Sequence, residues 1–294
     1  MDILFSLKNR GLKVIYDCFT FFNELELLEI RLHELSPVVD RFVLVEATRT
    51  HSNHEKPLYF DLNKGKFKQF LPKIIHIVVS DFPTANGNRW VFENYQRNAI
   101  SRGLRDCEPD DVIVVSDIDE IVRPQAILEN KDRPGIKFFR QRLYYYFLNC
   151  ECINNIWDAP KMAFYRDMHT PQWLRKYPNP FYPKKWQRSL SKRIIALKQI
   201  VGTKDVFIDE GGWHFSYLGG IDRVRQKIKA MAHSEYDSDE FLNPVNLLER
   251  IQNNEDIFGR KYKFRSVPID ASFPRYLQLN IERFKELIQP WRTT

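Results

Sequence analysis

The chain reads as an α/β protein, a mainly parallel sheet flanked by helices and followed by an irregular, aromatic-rich lobe. Three observations predict this. Runs rich in Val and Ile alternate with runs of helical period from Lys13 to Glu120. One of them, Val112-Ile113-Val114-Val115, ends in three carboxylates within four positions, Asp117, Asp119 and Glu120. After Gly135 the texture changes to aromatic and proline-rich. Strand–helix alternation argues for parallel pairing, and short apolar runs bounded by turn signals argue for buried strands.

Lys13 to Phe19 is the first predicted strand. Asn23 then reads as a helix N-cap, with Glu26 three residues on as in a capping box. Leu25, Leu28, Leu32 and Leu35 follow at helical spacing until Pro37 ends the run. Arg41 to Glu46 and Lys73 to Val79 are the second and third strands. Trp90 to Leu104 reads as a helix, and the acidic-ended strand follows it. Ile136 to Leu148 is a long aromatic strand. Residues 157 to 190 carry Trp157, Trp173, Trp186 and five prolines, a pattern that suits a binding lobe or a lid. Ile221 to His233 returns to helical spacing, and Asn280 to Ile288 is a last helix. No repeat or linker divides residues 1–294, so one domain is expected, with halves at about 13–135 and 136–294.

At 294 residues and 43% hydrophobic, the chain can bury a large core. The net charge of +7 is spread out, with no basic block. It suits phosphorylated ligands or an anionic surface better than nucleic acid, and nucleic acid is not expected as a partner. Cys18, Cys107, Cys150 and Cys152 lack zinc-type spacing, so free thiols in a reducing compartment are expected. No run reaches transmembrane length. The Ile3-Leu4-Phe5 run beside Lys8 and Arg10 leaves peripheral membrane contact open.

The chemistry concentrates in four places. Asp117 and Asp119 lie two apart, so on an extended backbone they point to one side. Carboxylates aimed together repel unless a cation lies between them, and Mg²⁺ or Mn²⁺ would leave open positions for phosphates. Such a strand end is where ligands bind in open α/β sheets. The second place is Asp209-Glu210-Gly211-Gly212-Trp213-His214, where the glycines permit a tight turn between a carboxylate base and His214 as a metal ligand. The third is Val45 to Ser52, with Glu46 and His51, at a strand end suited to a base or ribose. In the fourth, Asn94, Arg97 and Asn98 share one helix face, where Arg97 would fork onto a diphosphate.

These segments together resemble glycosyltransferase family 17, in order from roughly Lys13 to His233. The resemblance rests on Tyr16 to Glu24, Val45-Glu46-Ala47 with Thr50-His51-Ser52, Asn94-Tyr95-Gln96-Arg97, Ser116 to Ile121, and Gly212-Trp213-His214-Phe215-Ser216. That family includes the enzymes that add bisecting N-acetylglucosamine to N-glycans. The resemblance implies a GT-A-like (Rossmann-like) fold and inverting transfer from a UDP-sugar, with UDP-N-acetylglucosamine expected, to a glycan hydroxyl such as β-mannose O4. It implies Mn²⁺ or Mg²⁺ on Asp117 and Asp119, with His214 completing the set. The donor residues expected are Asp17, Glu46, His51, Asn94, Arg97 and Asp117. Glu210 is the expected base with Asp209 second, and Tyr145, Trp157 and Trp213 are the expected acceptor platforms. As written, without the anchor and stem of animal members, the chain is expected to be cytoplasmic in a microbe or virus, and Golgi-lumenal only as a trimmed form. Two other readings remain: a metal-dependent phosphoryl or nucleotidyl transferase using Asp117, Asp119 and Glu120, and a carbohydrate-binding protein without catalysis.

Overall fold

The computed structural model describes Gly11 and residues 13–178 and 204–290. Ile3-Leu4-Phe5 and Trp186 lie outside these residues. The β-branched runs form β1 (Ile15–Phe21), β2 (Arg41–Ala47), β3 (Ile74–Val79) and β4 (Val112–Asp117). β1 pairs in parallel with β2 and β4, and β2 with β3. Helix α1 (Leu25–Leu35) follows β1, the short α2 (Tyr59–Asn63) follows β2, and α3 (Arg89–Asn98) precedes β4. The expected helix to Leu104 stops being α-helical after Asn98 and tightens into a 3₁₀ turn over Ala99–Gly103.

Alternation along β1 explains the layers. Ile15, Phe19 and Phe21 join Leu27, Leu28 and Leu32 of α1 in one core cluster. Tyr16 and Cys18 belong to the opposite cluster with Ala99, Ile100 and Leu104. Both faces of the parallel half are therefore covered, as such sheets require.

The second half is mixed. β8 (Lys161–Phe164) runs antiparallel to β4, β6 (Lys137–Tyr145) antiparallel to β8, and β7 (Cys150–Trp157) antiparallel to β6. The short β10 (Phe264–Ser266) closes that edge. β9 (Val206–Ser216) lies parallel to β6 and antiparallel to β5 (Glu120–Val122). Among the described residues one sheet results, in the order β10-β7-β6-β8-β4-β1-β2-β3 with β9 and β5 branching off it. Helices α4 (Pro124–Asn130), α5 (Pro171–Lys176), α6 (Gly220–Ala230), α7 (Asp239–Leu242), α8 (Pro244–Gln252) and α9 (Arg275–Leu279) flank it. A third core packs Leu143, Tyr145, Cys150 and Cys152 against Val224 and Ile228 of α6 and Leu247 and Ile251 of α8.

Three local expectations are corrected. Asn23 does not cap α1: its amide donates to Gln226 (2.9 Å), while Glu26 pairs with Arg223 (2.8 Å). The stretch from Asn280 becomes a 3₁₀ helix, Ile281–Leu287, rather than an α-helix. Gly211-Gly212 makes no turn. It lies within continuous β9 at a register irregularity against β6. Gly212 has φ +141°, and a Cβ there would overlap the Ile121 carbonyl of β5. The glycine thus lets β5 and β9 approach closely.

Candidate active site

The site forms where β4 ends and β5 begins. Pairing of β5 with β9 sets Glu120 directly opposite His214. The amide of Phe215 donates to the Asp119 carbonyl (2.8 Å), and the Asp117 amide donates to Glu120 Oε2 (2.9 Å). This register brings ligand-type atoms of Asp119, Glu120 and His214, all buried, within 4.8 Å of one another. His214 Nε2 lies 3.6 Å from Asp119 Oδ2.

Asp117 turns elsewhere. It accepts from Arg97 (2.9 Å), from Arg175 of α5 (2.8 Å) and from Thr20 (3.3 Å). Burial opposes its ionisation, but Arg175 and Arg97 outweigh burial and hold it well below the usual carboxylate range. Asp119 behaves alike: burial opposes its charge, and Lys227 and His214 more than offset the cost. Lys227 Nζ of α6 donates to Asp119 Oδ2 at 2.6 Å. Glu120 takes both arms of Arg175 (2.6 and 2.7 Å) and the indole N–H of Trp157 (2.5 Å). The Trp157 ring also packs on His214, centroids 4.6 Å apart.

Beneath the loop lies Arg31 of α1, fully buried. It donates to both oxygens of Asp17 (2.7 and 2.5 Å) and to Ser116 Oγ (2.6 Å). Its remaining arm reaches the carbonyls of Asp117 (2.8 Å), Ile118 (3.3 Å) and Glu120 (3.1 Å).

Past the C-terminal ends of β2 and β3, on the sheet edge where β4 also ends, opens a cavity of about 620 Å³. Arg49, His51, Phe82, Ala85, Arg89 and Phe92 are among its lining residues. Its size suits a small-molecule site. His51, in its lining, meets Gln96 Oε1 through Nε2 (3.0 Å), and its ring feels the charges of Glu93, Arg97 and Asp117. Burial, the largest influence, lowers the His51 pKa, so the imidazole favours its neutral form.

The other expected site residues fall into two groups. Asp17 is entirely buried beneath the loop and holds Arg31. Glu46 is also buried and accepts from the Phe60 amide (2.9 Å) beside His76 and Lys56. Arg97 spends its donors on Asp117, Glu93 and Gln172 rather than facing a cleft. Asn94 meets Lys176 (3.4 Å) and Asn98 takes the Gln172 amide (3.1 Å), so this helix face docks α5. Trp213 is core: its ring lies against Arg123 and its N–H donates to Ser272. Tyr145 is core as well, with Arg260 donating to its hydroxyl. Glu210 and Asp209 are largely exposed, 56% and 76%, and ion-paired to Arg142 and Arg140. Glu210 has φ +51° and sits where β9 bulges against β6, between Ile208 and Gly212. In the second group Asp119, His214 and Trp157 are brought together, Asp117 joins them through Arg175, which it shares with Glu120, and His51 lies on the cavity side. Glu120, Arg175, Lys227 and Arg31 complete that group without having been assigned a site role from sequence, save Glu120 in the phosphoryl-transferase reading.

The donor set fits a divalent ion. Two carboxylates and an imidazole suit Mn²⁺, and His214 Nδ1 is buried with no hydrogen-bond partner among the described residues. Asp119 and His214 are the better placed ligands, because Arg175, Trp157 and the Asp117 amide occupy Glu120.

No helix of the described residues is long and apolar enough to cross a membrane. Among solved structures, glucosyl-3-phosphoglycerate synthase of Mycobacterium tuberculosis, in complex with Mn²⁺, UDP and phosphoglyceric acid, aligns at TM-score 0.37 and 11% identity, covering 92% of this chain and 93% of that one. Inositol-1-phosphate CTP transferase from T. maritima aligns at TM-score 0.33 and 13% identity, over 67% and 85%. The β-1,4-mannosyl-glycoprotein 4-β-N-acetylglucosaminyltransferases of Mus musculus and Homo sapiens are each 25% identical. The alignments cover 92% and 90% of this chain but 54% and 53% of those enzymes, so the chain spans about half the length of the curated relatives it matches. The family model for glycosyltransferase family 17 matches residues 5–179, more than half of the chain and inclusive of the Asp117–Glu120 loop. The chain belongs to glycosyltransferase family 17.

Proposed function

We propose that the chain transfers a sugar, N-acetylglucosamine, from UDP-N-acetylglucosamine to a glycan hydroxyl with inversion, β-mannose O4 being the hydroxyl expected. One observation supports this reading: the Asp119–Glu120–His214 cluster follows the C-terminal end of β4, on the same edge of the parallel sheet where β2 and β3 end at the cavity. A nucleoside held in that cavity would direct its diphosphate toward the cluster.

Asp119 and His214 would hold a divalent ion, Mn²⁺ or Mg²⁺, with Glu120 behind them. When bound, such an ion supplies charge neutralisation for a leaving diphosphate. Arg175 and Arg97 fix Asp117 and Glu120 so that the loop keeps its shape. Trp157, packed at a tilt against His214, offers an acceptor sugar an aromatic face. Residues 13–135 serve the donor and 136–294 the acceptor, within one domain. Glu210 and Asp209 pair with Arg142 and Arg140 on the exposed part of β9, and this reading assigns the base to neither.

The test is a panel of UDP-sugars incubated with Mn²⁺ and mannose-terminated acceptors. Sugar transfer with UDP release is expected, greatest with UDP-N-acetylglucosamine. Release of UMP as the first product would favour sugar-phosphoryl transfer, and release of sugar 1-phosphate would favour nucleotidyl transfer. Binding of sugars with no turnover of any donor would make the chain a carbohydrate-binding protein.

A further inference from the structure

We propose that Lys227 is a resident counter-cation of the Asp119 site, displaced when a divalent ion binds and received by Glu24. This rests on the metal reading above and concerns a residue outside the ligand set. Lys227 Nζ lies 2.6 Å from Asp119 Oδ2 and 3.4 Å from Glu24 Oε1. Asp119 Oδ2 is the same atom that His214 Nε2 faces at 3.6 Å. An ion on that oxygen would sit about 2.0–2.2 Å from it, so ion and ammonium contend for one side of one carboxylate.

The surroundings confine the exchange to the side chain. Val224 and Ile228 anchor α6 in the third core, which fixes the Lys227 backbone. Its four-carbon stem can still swing. Glu24 is held in place, because its Oε2 accepts from the Asn23 amide (3.0 Å). A second carboxylate therefore waits within reach of the displaced ammonium. The arrangement lets the protein keep a buried carboxylate paired before any ion arrives, which an unpaired Asp119 would not tolerate.

Mn²⁺ titration by calorimetry, with thermal unfolding of the metal-free protein, tests this. Lys227→Met is expected to bind Mn²⁺ severalfold more tightly than the wild type. It should also unfold at lower temperature without metal and gain more from added Mn²⁺. Lys227→Arg keeps the charge and should retain wild-type affinity. Glu24→Gln should weaken Mn²⁺ binding, because the displaced ammonium loses its receiver. That variant decides the matter if Lys227→Met does not fold. Equal or weaker Mn²⁺ binding by Lys227→Met, or unchanged affinity in Glu24→Gln, overturns the exchange while leaving the metal site intact. Absence of Mn²⁺ binding in the wild type overturns the metal site and the exchange together.

Discussion

Arg31 sets the shape of the acidic loop, through bonds to Asp17, Ser116 and three loop carbonyls. Its signal is present in the sequence. It lies three residues after Leu28 and four before Leu35, on the buried face of α1, where an arginine needs a buried carboxylate. Asp17 is that carboxylate, so the residue expected at the donor is already paired within the fold. Arg31→Met should cost about 3–5 kcal/mol by leaving Asp17 charged and unpaired, and Asp17→Asn on that background should recover part of the loss. Urea unfolding of both variants checks this; an Arg31→Met loss under about 1 kcal/mol would show that the pair does not brace the loop. His51 gives a pH test. Burial lowers its pKa from 6.5, so the unfolded chain binds the extra proton first. Its contribution to stability is full above about pH 6.5 and falls as pH drops toward the lowered folded pKa. Unfolding at pH 7.5 and 5.5 should show the wild type losing more stability on acidification than His51→Gln. An equal loss would mean that His51 titrates alike in both states.

The parallel half was legible at the level of elements because hydrophobic period and turn residues are local signals. β1 to β4 appear within about two residues of their expected bounds. The acidic strand end was legible for the same reason. What joins it was not. Arg175 reaches Glu120 across 55 positions of sequence, and Lys227 reaches Asp119 across 108. No local pattern specifies such pairs. The glycine pair misled because close strand approach and tight turning demand the same residue. Its carboxylates consequently lie on the exposed part of β9 with Arg140 and Arg142. Glu210→Gln should leave the transfer rate within about twofold of wild type, far from the roughly 10²–10⁴ that loss of a general base costs. A loss of that larger size would restore Glu210 to the chemistry. Gly212→Ala should destabilise by about 1–3 kcal/mol through its positive φ and the Ile121 contact, seen as a lowered unfolding temperature. Unchanged thermal stability would show that β5 and β9 can separate without cost.

Over the whole molecule, the parallel half supplies the cavity and the acidic loop, while the second half brings His214, Trp157, Arg175 and Lys227 to them. The site exists only where the two halves meet, which supports reading them as one functional unit. Family membership was legible in collinear motifs, but the role of each motif residue was not, since several of them build the scaffold. Glu46 and Trp213 are of that kind, both buried and bonded within the fold. The most direct measurement is UDP binding by calorimetry with Mn²⁺ and with chelator, in wild type and Asp119→Ala. Wild-type protein should bind UDP in a Mn²⁺-dependent manner, and Asp119→Ala should lose roughly 100-fold or more in affinity while keeping its circular dichroism spectrum. Wild-type UDP affinity in Asp119→Ala, or in chelator, would contradict the placement of the donor site at this strand end.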